Sequence, residues 1–188
     1  MTNKTSDKSI IDLVIDDHEE VRSLWKQYQS EPDQKAKGDI KDKVVYNVAV
    51  HSHAEELVLY AAFEAFMGAK GKELADISRA EHREIKKEYY RLDRLKHTDP
   101  NLESEMQRAY DEFNHHAKHE ENEILPEFSK SVNEDQLKSL GGAFTMIKTT
   151  VPTRPHPSAP DTPGLEALFG TAVAPVDWLR DLFRSLGK

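Results

Sequence analysis

The sequence contains no cysteine. That absence excludes a disulfide framework, a thiolate metal site, an iron–sulfur cluster and a cysteine nucleophile. Any metal must therefore be held by nitrogen and oxygen, and nine histidines are present among many glutamates. Long apolar runs are missing too. Nothing approaches the roughly 18 apolar residues of a membrane span, and the opening MTNKTSDKSI has no apolar core after its charges. No signal peptide and no span are expected, and the cytoplasm is the expected compartment. An excess of positive charge is the third absence. The 26 Lys and Arg face 34 Asp and Glu, for a net charge of −8. Non-specific nucleic-acid binding needs clustered positive charge, so no nucleic-acid partner is expected.

Glycine and proline are sparse until about residue 150, where Pro152, Pro155, Pro157, Pro160 and Pro163 crowd together. Alternation of β-branched residues is nearly absent, and the body is rich in Ala, Leu, Glu, Lys and Arg. The expected organisation is a helical bundle over 1–150, a Pro-rich linker over 151–163 and an amphipathic C-terminal segment over 164–188. In the last of these, Val176, Leu179, Leu182 and Phe183 share one face of a short helix. Docking on its own bundle is the preferred role for that face; a homodimer or partner contact is the alternative.

Four segments carry a 3.6-residue apolar stripe. They run from about Ser9 to Gln29, Gln34 to Phe66 with an interruption near Gly38, Lys72 to His97, and Asn101 to Phe128. A weaker segment covers Glu134 to Lys148. Gly68 and Gly71 are C-cap candidates closing the second helix. Four such helices with short connections predict an all-α fold, an antiparallel up-down four-helix bundle with members about 30 Å long.

All four stripes are interrupted by a histidine: His18, His51, His82 and His116. Two carry a glutamate one turn later, Glu55 and Glu120. A buried ionised carboxylate without a partner costs several kcal/mol, and two in one core repel unless cations lie between them. The set is a ligand shell for one or two divalent metals of the iron, manganese or zinc kind. His51 and Glu55 are i, i+4 on one helix face, and His116 and Glu120 repeat the spacing.

The surrounding words match as well. HSHAEELVLYAAF at 51–63 parallels HAKHEENEILPEF at 116–128, and DDHEEVRSLW and AEHREIKKEY each supply one further histidine. Over residues 8 to 130 the chain resembles the hemerythrin-like, or HHE cation-binding, domain family. The resemblance implies a four-helix bundle holding a non-haem di-iron centre, carboxylate- and oxo-bridged. It implies a small diatomic ligand or peroxide as partner: members bind O₂, or sense or react with oxygen, peroxide or nitric oxide. By position, His18, His51, His82 and His116 would be terminal imidazole ligands, and Glu55 and Glu120 the bridging carboxylates.

Two positions depart from the oxygen carriers of that family. Lys86 stands where they have a second helix-three histidine, and Glu120 stands in place of their helix-four aspartate. That favours redox, peroxide or NO chemistry, or iron handling, over simple O₂ carriage. Glu56, Glu81, Glu84 and Glu121 are candidates to fill the gap or to support the ligands from behind. On their own positions, Glu56 and Glu121 read as solvated or interface carboxylates. His115 and His119 read as a solvated face, His53 as exposed or outer, His97 as a helix-end cation, and Tyr60 as packing. The competing function is a structural zinc module without redox chemistry.

Overall fold

Helix ends are written into the capping residues. In the computed structural model, which describes residues 8–157 with Leu182, Phe183, Ser185 and Leu186, Ser9 Oγ accepts the Asp12 N–H at the start of α1 (Ile10–Ser30). Asp33 does the same for Ala36 at the start of α2 (Gln34–Ala54). Each cap satisfies a donor that the first turn leaves without a partner. The expected interruption near Gly38 does not occur. A Cβ there would lie 2.2 Å from His97 Cγ, so the glycine makes room for the distant loop while the helix runs on.

After Ala54 the helix widens into a π-helical turn, Glu55–Leu59, and continues as α3 (Tyr60–Arg94). The two arms of α3 meet at Gly68, whose φ of 58° and ψ of −128° break the helix where the sequence placed a cap. Glycine is suited to this left-handed φ because it has no Cβ. The second arm ends three residues before the expected His97, at Arg94, with Leu95 already extended. Then come α4 (Leu102–His119), a second π-helical turn (Glu120–Ile124), α5 (Leu125–Ser129) and α6 (Glu134–Ile147). Asn133 and Gln136 form a reciprocal capping box at the start of α6.

The resulting fold is an all-helical four-helix bundle with α6 laid against α1 and the first π turn. Among the described residues the apolar core falls into two clusters. One gathers Val14, Val58, Phe63, Phe128 and Phe144; the other gathers Val21, Val48, Ile85, Leu92 and Phe113. Each fully buried side chain of this size contributes about 1.5–3 kcal/mol by leaving water. Between the clusters, one on each of α1, α2, α3 and α4, sit the four histidines. The bundle thus has a polar layer clamped between two apolar halves.

Residues 151–157 carry no helix. The rest of the expected linker, and most of the amphipathic segment 164–188, lie outside the described residues. Leu182, Phe183 and Leu186 pack on the first cluster, and Gln136 Nε2 donates to the Leu186 carbonyl at 2.8 Å. Among the described residues no helix is long and apolar enough to cross a membrane.

The docking of α6 depends on Gly141. A Cβ there would stand 2.3 Å from the Lys8 carbonyl oxygen, whereas one on Gly142 meets nothing within 4 Å. Gly141→Ala should destabilise by about 1–3 kcal/mol through overpacking. Gly142→Ala should be neutral or stabilising by up to about 1 kcal/mol. Urea unfolding of the two variants checks the contrast.

Candidate metal centre

The six residues singled out by the helical stripes meet in the polar layer. His18, His51, Glu55, His82, His116 and Glu120 are all buried. Ligand atoms of His18, His51 and Glu55 lie within 4.8 Å of one another, and so do those of Glu55, His82 and His116. Glu55 is common to both triads. The Nε2 atoms converge in pairs, His18 with His51 at 3.1 Å and His82 with His116 at 3.1 Å. Glu55 Oε2 stands 3.1 Å from His51 Nε2 and 3.2 Å from His82 Nε2. Glu120 is close by, with Oε2 3.6 Å from His18 Nε2, but it belongs to neither triad.

The backbone changes where the two glutamates enter. Each π turn begins on one of them, with Tyr60 N–H reaching back to the Glu55 carbonyl and Leu125 N–H to that of Glu120. Pro126 follows the second turn, but its counterpart in the first half is Ala61, so proline is not the shared cause. Single π turns inside α-helices recur at functional sites. Neither was legible in the sequence.

Burial alone would raise the pKa of Glu55. The imidazoles of His51 and His82 outweigh it and hold that carboxyl well below the usual range. Burial and the facing Glu55 push Glu120 well above it. His51 rises to about 9 against its burial, lifted by Glu55 and Asp17. Burial drives His116 down to about 4 despite Glu81. Glu55 Oε1 and both oxygens of Glu120 find no hydrogen-bond donor. A cation between the acids would supply what these three buried oxygens lack, so the donor set fits a metal.

Behind each imidazole stands a carboxylate. His18 Nδ1 meets Glu121 at 2.7 Å, His51 Nδ1 meets Asp17 at 3.2 Å, His82 Nδ1 meets Glu56 at 3.0 Å and His116 Nδ1 meets Glu81 at 2.7 Å. Such partners fix the tautomer, keeping the proton on Nδ1 and the Nε2 lone pair toward the centre. Each carboxylate also meets a second cationic or imidazole group: Arg22, Lys148, Lys86 and His119 respectively.

Several sequence expectations change here. Glu56 is not a solvated carboxylate; it is fully buried, and burial is outweighed by His82 and Lys86, which lower its pKa. Lys86 occupies the place of the missing histidine and points its Nζ at Glu56 Oε2, 2.6 Å away. Glu121 is half-buried on His18 rather than solvated, and His119 leaves its expected polar face to join Glu81 at 2.9 Å. His53 is buried, with Nδ1 on the Ala49 carbonyl and its pKa lowered by burial to about 4. Tyr60 does more than pack: its hydroxyl lies 2.8 Å from His82 Nε2 and 3.5 Å from Glu55 Oε2. His115 is exposed as expected, and His156 is exposed too; Glu84, a candidate for the gap left by Lys86, is also exposed on the outer face of α3 and takes no part in the centre. Asp17 was missed, although its position beside His18 in DDHEE turns it about 100° round α1, toward α2.

The Lys86–Glu56 pair can be tested directly. Lys86→Met leaves a buried carboxylate with His82 alone and should cost about 3–5 kcal/mol. Adding Glu56→Gln should recover part of that loss in the same urea titration.

The bundle agrees with known proteins. The family model described as Hemerythrin HHE cation binding domain matches residues 9–128. An uncharacterised hemerythrin-like protein of Schizosaccharomyces pombe is 31% identical over 173 residues, covering 92% of this chain and 85% of the relative. The crystal structure of a hemerythrin HHE cation binding domain-containing protein from Mycobacterium kansasii shares the fold, with a TM-score of 0.66 at 19% identity. That likeness covers 76% of this chain and 86% of the other. The chain belongs to the hemerythrin HHE cation-binding domain family.

Proposed function

We propose that the chain is a non-haem di-iron protein that binds, senses or reacts with dioxygen, peroxide or nitric oxide inside its bundle. The proposed ligands are His18, His51, Glu55, His82, His116 and Glu120, and the unit that carries them spans residues 1–150. The observation that carries the reading is the shared carboxylate: Glu55 belongs to both triads, which is where a bridge between two cations must stand. Glu120, whose two oxygens lack a donor, offers the second carboxylate from the opposite half of the bundle.

Iron bound there would supply redox chemistry and open positions for a small ligand. The protein's own groups set the conditions. The carboxylates on Nδ1 keep the four imidazoles oriented and their Nε2 atoms basic. The two apolar clusters exclude bulk water on either side of the polar layer. The Tyr60 hydroxyl, held near neutral because burial and the surrounding acids push its pKa well above 10, is a proton donor at the centre's edge. Zinc is the competing metal, because a triad of two histidines and one glutamate also suits it.

Protein produced with ample iron should carry about two irons per chain, one for each triad. It should absorb in the near-ultraviolet as a bridged ferric pair and bleach on reduction. Stoichiometric zinc without colour would replace the iron reading. Glu55→Gln should abolish tight uptake at both positions, whereas His116→Ala should spare the His18 half; metal analysis after gel filtration separates the two. Chelation should lower the thermal midpoint, since a ligand at about 100 times its Kd adds about 2.7 kcal/mol to the folded state. An unchanged midpoint would support a metal-free bundle.

A further inference from the structure

Helix α6 lies beyond the stretch matched by the family model, which ends at residue 128, yet it reaches the polar layer. Lys148, immediately after α6, places Nζ 2.6 and 2.7 Å from the two carboxylate oxygens of Asp17. Asp17 is the acceptor for His51 Nδ1 at 3.2 Å. Phe144, one turn earlier, packs edge-on against the His51 ring with centroids 6.4 Å apart, and Lys148 Nζ lies 5.5 Å over the Phe144 ring. One helix therefore backs His51 with an apolar ring and with a charge relayed through Asp17. The other three carboxylates take their partners from within the bundle, from Arg22, Lys86 and His119.

The supports behind His82 and His51 differ in how enclosed they are. Lys86 and Glu56, behind His82, are 4% and 0% exposed. Lys148 and Asp17, behind His51, are 31% and 22% exposed. Water reaches the second pair, and only the docking of α6 keeps Lys148 in place.

We propose that Lys148 is a positioning residue: through Asp17 it holds the His51 imidazole in the His18–His51–Glu55 triad, so that α6 sets how fast this half of the centre gives up its metal. The proposal rests on the two-metal reading above. An imidazole that has lost its orienting carboxylate typically costs a site 10–100-fold in metal affinity. The Glu55–His82–His116 triad, whose supports are the Lys86–Glu56 pair and Glu81 with His119, does not draw on Lys148 and keeps its own rate.

The test uses full-length protein loaded with iron, reduced, and mixed with excess ferrous chelator while the coloured chelate is followed. In Lys148→Met, half of the iron should leave roughly tenfold faster than in wild type, and the other half should keep its rate. Lys148→Arg should restore the wild-type trace, because the guanidinium also reaches a carboxylate. Asp17→Asn leaves the Phe144 contact intact and should speed the same half, which carries the test if Lys148→Met loosens the fold. Equal acceleration of all the iron, or no change in Asp17→Asn, overturns the proposal and leaves the two-metal reading standing. Wild type that holds fewer than two irons overturns that reading, and this inference with it.

Discussion

Everything in the polar layer is arranged around one buried charge. Glu55 lies at zero exposure between His51 and His82, and its ionised form is held there by those two imidazoles. A lone carboxylate in such a place would be prohibitively costly to keep charged. The imidazoles remove that cost, and four further carboxylates behind the imidazoles remove the cost of orienting them. The groups alternate outward from the centre, acid to imidazole to acid and then to Arg22, Lys148, Lys86 or His119. The bundle can thus keep an ionic centre inside an apolar body.

The same arrangement explains why the core is divided. An uninterrupted apolar stripe on each helix would fuse the two clusters into one. A histidine on each stripe instead places the ionic layer at one level across all four arms. Each cluster closes the layer on its own side, one with Phe113 against His18 and the other with Phe144 against His51. Apolar walls of this kind lower the local dielectric and strengthen each ionic contact within.

The bundle and the six central residues were legible because helical periodicity fixes which residues share a face. An i, i+4 pair on an apolar stripe has one place to go, the core. The supporting groups were not legible by that rule. Asp17, Glu56, Glu81 and Glu121 sit beside the stripe, where a polar residue normally faces solvent. Their inward reach depends on the neighbouring helix, which periodicity within one helix does not reveal. Glu56 shows the effect most strongly, because all five residues of the first π turn are buried while only Glu120 and Ile124 are buried in the second. Helix α6 packs over the first turn, and among the described residues no helix covers the second in the same way. Tyr60 follows from the same cause: the widened turn brings a residue five places after Glu55 onto the glutamate's own side.

Each π turn is, in effect, an α-helical turn with one residue added. Every side chain beyond it is therefore rotated by about 100° from where an unbroken helix would carry it. Excising a single residue from 55–59 would swing Phe63 off its partner Phe128, 4.9 Å away, and carry Tyr60 off His82. The extra residue sets the phase between the ionic centre and the aromatic end of the bundle. Single-residue deletions in these two short stretches would therefore be far less tolerable than in the outer turns of the same helices, even where the lost side chain touches nothing.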